Sequence, residues 1–283
     1  MIKRDDPAQN NSEDDSFFLN DVINPWQVLS TEELSQTREF CDLMKEKGRF
    51  KVLDGIPDEM RRDWVEGVED GAISNVLITP ERFRELSDQV CKELVDEVLK
   101  DENGEVMVVY PWRAALSFLS AFVSHGIENH CHFGVCRNEE TLEIEVYMPL
   151  KEDIFRSSNV DTIILADPML ATGGSFDTLM KILKSVGVSE NKIKIVSVVG
   201  APEGVKKILS KYPGVEITVA ALDGYLNEMG RIVEPGLGDY GDKWLDRLDI
   251  EDFISKYSNY FSEKELEALR DRIEFLRKST SVS

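Results

Sequence analysis

Apolar residues follow two rhythms along this chain, and the change from one to the other falls near Val106. Upstream, Phe83, Leu86, Val90, Leu94 and Val98 recur at spacings of three and four, the stripe of an amphipathic helix. Thr79 and Pro80 stand just ahead of it as N-cap and first helical residue. Downstream, short apolar runs alternate with helical stripes. Residues 106–110, 130–136, 162–166, 193–199 and 215–222 read as strands, and residues 114–123, 176–186 and 204–210 as the helices between them. Such alternation predicts an α/β fold, a doubly wound parallel sheet with helices on both faces.

Either side of this core the pattern is thinner. Residues 1–16 are polar and acidic and are expected to be disordered, with Phe17, Phe18, Val22, Ile23 and Trp26 as a docking arm. Ser30 and Glu33 form a capping-box pattern ahead of a helix carrying Leu34, Cys41 and Met44, with Gly48 at its end. Residues 49–74 show no clear period, although Met60, Trp64 and Val65 suggest a short helix. Near the other end, Ser262 and Glu265 cap a helix bearing Leu266, Leu269, Ile273 and Leu276. The expected organisation is an acidic tail with a helical extension over 1–74, a main domain over 75–244 and a helical extension over 245–283.

Charge narrows the partners. A formal net charge of -21 opposes both nucleic acid and anionic membrane surfaces, so an anionic substrate must be held by local donors and a metal ion. No basic start is followed by an apolar core, and no apolar run approaches membrane-spanning length, which predicts a soluble, cytoplasmic protein. Cys41, Cys91, Cys131 and Cys136 are too few for a disulfide scaffold in a chain of 283 residues and fit a reducing compartment. His125, His130, Cys131, His132 and Cys136 crowd together as a metal site would require. Strand alternation sends Cys131 to the face opposite His130 and His132, which favours a packed strand over zinc.

The candidate chemistry lies in residues 162–176. A buried strand ends at Ala166, and Asp167 leaves it just before the small-residue loop Thr172, Gly173, Gly174, Ser175 opens a helix. Glycines admit close backbone approach, hydroxyls add donors, and a helix start offers unpaired N–H groups to an anion. Neither the lysine and spacing of a Walker A loop nor a G-x-G-x-x-G is present. Other strand-end loops in a parallel sheet also face ligand. Those are the loops holding Arg113, Arg137 and the glycine-rich run Gly236, Gly238 and Gly241, which also fits a structural Ω-loop.

The stretch DPMLATGGS resembles the phosphoribosyl pyrophosphate (PRPP) loop of uracil phosphoribosyltransferases, with Pro168 where the wider type I class carries a second acidic residue. The similarity runs from Asn129 to Asp242 with few breaks, and a weaker match reaches back to about Asn75. It implies a type I phosphoribosyltransferase fold with a hood, and transfer of the phosphoribosyl group of PRPP to uracil, giving UMP and pyrophosphate. Alternatives are a transferase using another uracil-like heterocycle, or a non-catalytic PRPP- or nucleotide-binding regulator. The resemblance assigns catalysis to Asp167, Arg113 and Arg137. It assigns PRPP to these with Pro168, Met169, Leu170, Ala171, Thr172, Gly173, Gly174, Ser175 and Asp239, and the acceptor base to Ile232, Val233, Gly238, Asp239 and Tyr240. It further implies Mg²⁺ carried by PRPP and not by a protein site, a mobile loop over residues 138–160, and a homo-oligomer, dimer or higher. Ala115 replaces a glycine of the family's pyrophosphate loop, Glu234 is inserted in the hood, and Lys243 stands where arginine is common.

Overall fold

The computed structural model describes residues 28–53, 55–61, 63–64, 77–137, 144–150, 155, 160–233, 235–246 and 248–280. The acidic tail, the arm at Phe17 to Trp26, and Val65 lie outside the described residues. The strands are β1 (Phe50–Val52), β2 (Asp63–Trp64), β3 (Leu77–Ile78), β4 (Val106–Trp112), β5 (Asn129–Arg137), β6 (Ile144–Met148), β7 (Thr162–Ala166), β8 (Met169–Leu170), β9 (Ile193–Gly200), β10 (Glu216–Leu222), β11 (Tyr225–Leu226) and β12 (Ile232–Val233). The helices are α1 (Thr31–Glu46), α2 (Pro80–Leu99), α3 (Leu119–Ser124), α4 (Gly174–Ser185), α5 (Pro202–Lys211), α6 (Tyr240–Leu245), α7 (Ile250–Tyr257) and α8 (Glu263–Thr280).

The main sheet runs β1-β10-β9-β7-β4-β5-β6, with short β8 also beside β9. Its pairs are parallel except β5 with β6. Alternation along each strand divides the core in two. Val106, Val108, Tyr110, Ile164 and Ala166 join Phe83, Leu86, Leu94 and the residues of α6 and α7 on one face. Met107, Val109, Ile163 and Leu165 meet Phe176, Leu179, Leu183, Val205 and Ile208 on the other. Strands buried on both faces are what a parallel sheet covered by helices requires, and this is the α/β architecture that the sequence predicts.

Local signals explain the helix starts. Ser30 Oγ accepts from the Glu33 N–H while the Glu33 carboxylate accepts from the Ser30 N–H, closing the capping box of α1. Thr79 Oγ1 accepts from the Arg82 N–H at the start of α2. Ser262 N–H and Oγ both donate to Glu265 ahead of the helical turns of α8. The packed-strand reading of the His and Cys cluster also has a physical basis here. Tyr110 stacks with His130 and His132 on one face, and Cys131 is buried in the core of the other.

Two expectations need correction. Residues 138–160 are not a plain connection, because β6 lies within them, antiparallel on β5; residues 138–143, 151–154 and 156–159 lie outside the described residues. A strand with exposed Glu145, Val146 and Tyr147 gives no burial rhythm to read. The short helix expected near Met60 and Trp64 is a 3-10 turn at Asp58–Arg61, followed by Trp64 in β2. The stretch without period also supplies β1, which forms by pairing with the open edge of β10, a tertiary opportunity and not a local propensity.

Candidate active site

From β4 the chain passes to β5 on one side and returns through β7 on the other, so the loops after β4 and β7 depart in opposite directions. In open parallel sheets a ligand crevice lies outside the carboxyl ends of the strands at such a reversal. Register pairs Val109 with Leu165, which leaves Arg113 and Asp167 just beyond the ends of neighbouring strands. Arg137 ends β5, the next strand over; its side chain lies outside the described residues.

The loop after β7 is held tightly. The Asp167 N–H donates to the Val196 carbonyl at 3.1 Å, and the two residues of β8 are locked to β9 when Val199 donates to Pro168 and Ala201 to Leu170. Helix α5 closes on this loop at Gly204, where a Cβ would stand 2.2 Å from the Ala171 carbonyl oxygen. Gly173 turns the chain at φ +73°, and it caps α4 without a side-chain hydrogen bond. A 12-residue helix therefore starts with backbone donors at the crevice beside the partly exposed Thr172 and Ser175. The Gly174 N–H leans toward Thr172 Oγ1 at 3.4 Å.

Asp167 is half-buried, and burial pushes its carboxyl up to about 7 against the opposing hydrogen bond from the Met169 N–H at 3.2 Å. A carboxyl in that range changes charge near neutrality, and a ligand donor would favour its ionised form. Arg113, joined to Trp112 by a cis peptide bond, pairs with Asp242 at 2.9 Å. Asp242 is raised by burial and by neighbouring Asp239, while Arg113 pulls the other way. Through this pair the loop after β4 meets the first turn of α6 and, with it, the end of the loop that precedes that helix.

That second loop is the hood. It begins as the hairpin β11–β12 and turns at Gly236 and Gly238, with φ +63° and +69°. At Gly236 a Cβ would lie 2.8 Å from the Ile232 carbonyl oxygen, so the turn has no room for a side chain. Ile232 is buried, Val233 partly so, and Gly238 and Asp239 are exposed. The Asp239 carboxylate caps α6 by accepting from the Asp242 N–H at 2.9 Å. Tyr240 departs from expectation: the residue is 0% exposed, with its ring edge-on to Phe83 and its hydroxyl against Ser87. Lys243 packs beneath Gly238, its Nζ 5.7 Å from the Phe83 ring centre.

Sequence reasoning missed Arg61. Its guanidinium takes both oxygens of buried Asp223 at 2.7 and 2.8 Å, and donates to the Gly236 carbonyl at 3.1 Å. An arginine in an aperiodic stretch carries no pattern; only the acidic Asp223 at a strand end hinted that a cation must come from elsewhere.

A family profile described as uracil phosphoribosyltransferase matches residues 89–245, more than half of the chain. Uracil phosphoribosyltransferases of Streptococcus pyogenes serotypes M5 and M49 are 52% and 51% identical over 113 residues, 40% of this chain. The chain spans about half the length of these curated relatives, 51%. A solved protein from Aquifex aeolicus matches with a TM-score of 0.53 and 26% identity, covering 79% of this chain and 99% of that one. With the profile spanning the strand-end loops, the phosphate-type turn and the hood, the chain belongs to the uracil phosphoribosyltransferase family.

Proposed function

We propose that this chain transfers the phosphoribosyl group of PRPP to uracil, giving UMP and pyrophosphate. The observation that carries the reading is the meeting, at one reversal of the sheet, of Asp167, the uncapped start of α4 and Arg113, with the hood joined to Arg113 through Asp242. In this reading Ala171 to Ser175 hold the 5′-phosphate, Asp167 accepts from the ribose hydroxyls, and Arg113 with Arg137 neutralises the departing pyrophosphate. Arg113 leaves Asp242 when it takes that role. The hood from Ile232 to Tyr240 reads the base, largely with backbone groups. Residues 75–244 carry the chemistry, with 1–74 and 245–283 as extensions to that domain.

As the bond to pyrophosphate breaks, positive charge grows on C1 of the ribose. Catalysis then comes from alignment of base and ribose and from stabilising the leaving group. Among the described residues no three His, Cys, Asp or Glu side chains cluster to hold a metal ion. In this reading Mg²⁺ comes with PRPP, where it would offset phosphate charge.

The test pairs a melting curve with an assay. PRPP with Mg²⁺ at about 100 times its dissociation constant should add roughly 2.7 kcal/mol to the native state. Pyrophosphate release is then followed with uracil, 5-substituted uracils, cytosine and unrelated heterocycles. Uracil should turn over and cytosine, with part of its donor pattern inverted, should be far poorer. Unchanged melting would remove the donor assignment; turnover with another heterocycle alone would reassign the acceptor.

A further inference from the structure

We infer that Arg61, in the segment that follows β1, is a positioning residue for acceptor selection, fixing the hood peptide between Gly236 and Leu237. The inference rests on the acceptor role proposed for the hood. Beyond β1 the chain keeps to the edge of β10, as Leu53 donates to Val219 and Gly55 to Ala220 at 2.9 and 3.0 Å. It thereby reaches the carboxyl end of the sheet, where Asp58–Arg61 makes its 3-10 turn. The turn is pinned twice: Met60 is 0% exposed, and Glu59 accepts from Arg82 Nε and Nη2 of α2 at 3.2 and 3.0 Å. Arg61 is thus delivered by a rigid mount.

Its reach is specific. The side chains of Arg61 and Asp223 are only 17% and 2% exposed, and one nitrogen of the fork serves both Asp223 and the Gly236 carbonyl. A carbonyl and the following N–H share one rigid plane and point in opposite directions. Holding the Gly236 oxygen therefore fixes where the Leu237 N–H points, and a cation on that oxygen strengthens the N–H as a donor. The buried Leu237 side chain anchors the other end of the same peptide. A fixed donor in the hood selects a base that presents a carbonyl oxygen. Arg38 of α1 steadies the adjoining loop by donating to the Gly224 carbonyl at 3.1 Å.

Arg61→Gln and Arg61→Lys are compared with the wild type by initial rates, with base and PRPP varied in turn, alongside melting curves. Losing a hydrogen bond from a charged group at the hood should raise the KM for uracil about tenfold in both variants and narrow uracil-over-cytosine preference by a similar factor. KM for PRPP should stay within about twofold. Lysine keeps a charge opposite Asp223 and should recover melting temperature, but an ammonium cannot reproduce the fork, so preference stays narrowed. A lysine variant with wild-type uracil KM and preference would overturn the inference. If the wild type uses no base, the proposed acceptor role fails first, and amide hydrogen exchange decides the positioning claim. Faster exchange at 236–240 with 172–176 unchanged in the lysine variant supports it; unchanged exchange at both overturns it.

Discussion

The loop after β7 and the loop after β10 lie along the same edge of the sheet but are held in different ways. The first is short and contiguous, its conformation set by pairing of β8 with β9, by the left-handed turn at Gly173 and by the close seat of α5 at Gly204. The second is long, and its shape depends on polar ties to distant parts of the chain. These are Arg61 to Gly236 and Asp223, Arg38 to the Gly224 carbonyl, Arg113 to Asp242, and Glu203, whose carboxylate accepts from the Leu226 N–H at 2.9 Å. A cradle for a phosphate needs few adjacent residues because backbone donors at a helix start already suit an anion. Reading a flat base needs donors and acceptors placed in a plane, which here takes contributions from several separate segments.

The largest expected effect tests the first loop. Asp167→Asn should lower kcat by about 10²-fold or more, on the scale of losing one preorganised electrostatic contact in an active site. The fold should not suffer. Burial raises Asp167 from 3.8 to about 7, so the native state keeps this proton over a range where the unfolded chain has released it. Its contribution to stability is therefore full below pH 3.8 and is lost as pH rises toward and past 7. Melting curves should show the asparagine variant gaining on the wild type as pH climbs through that window. A variant equally active at every PRPP concentration would separate this loop from the chemistry.

Next in size is Gly204→Ala, which probes the loop from behind. With a backbone oxygen 2.2 Å from the added methyl, α5 must shift, at a cost of about 1–3 kcal/mol in chemical denaturation. Donor affinity should fall while base preference holds. Gly236→Ala makes the converse test on the hood, where a positive φ and a carbonyl at 2.8 Å oppose any side chain. The backbone term alone is about 1–2 kcal/mol, and the KM for base should rise with little change for PRPP. Kinetics in which both variants shift both substrates equally would erase the distinction between the two loops.

The smallest effect belongs to the link between them. Asp242→Asn removes the Arg113 ion pair, which is partly exposed and worth at most about 1 kcal/mol. Stability should hardly move, and PRPP affinity should rise slightly because Arg113 no longer has to leave a carboxylate. Titration calorimetry of the variant with PRPP and Mg²⁺ checks the direction.

Much of this protein was legible in its sequence because the signals are local. Short apolar runs at Val106 to Tyr110 and Thr162 to Ala166 marked strands, Thr79 with Pro80 opened α2, and Asp167 followed by Thr172 to Ser175 marked a strand-to-helix turn suited to phosphate. Each depends on neighbours within a few positions, where steric and hydrogen-bond rules are strong. Tertiary structure decided the rest. It turned Tyr240 into the core against Phe83 and Ser87, although its place in the sequence suggested the crevice. It gave an aperiodic stretch an edge strand, since only β10 supplies the partner that makes Phe50–Val52 extended. It also brought Arg61 to Asp223 and Gly236 across more than 160 positions, because a buried carboxylate at a strand end needs a cation and no local rule says which one will arrive.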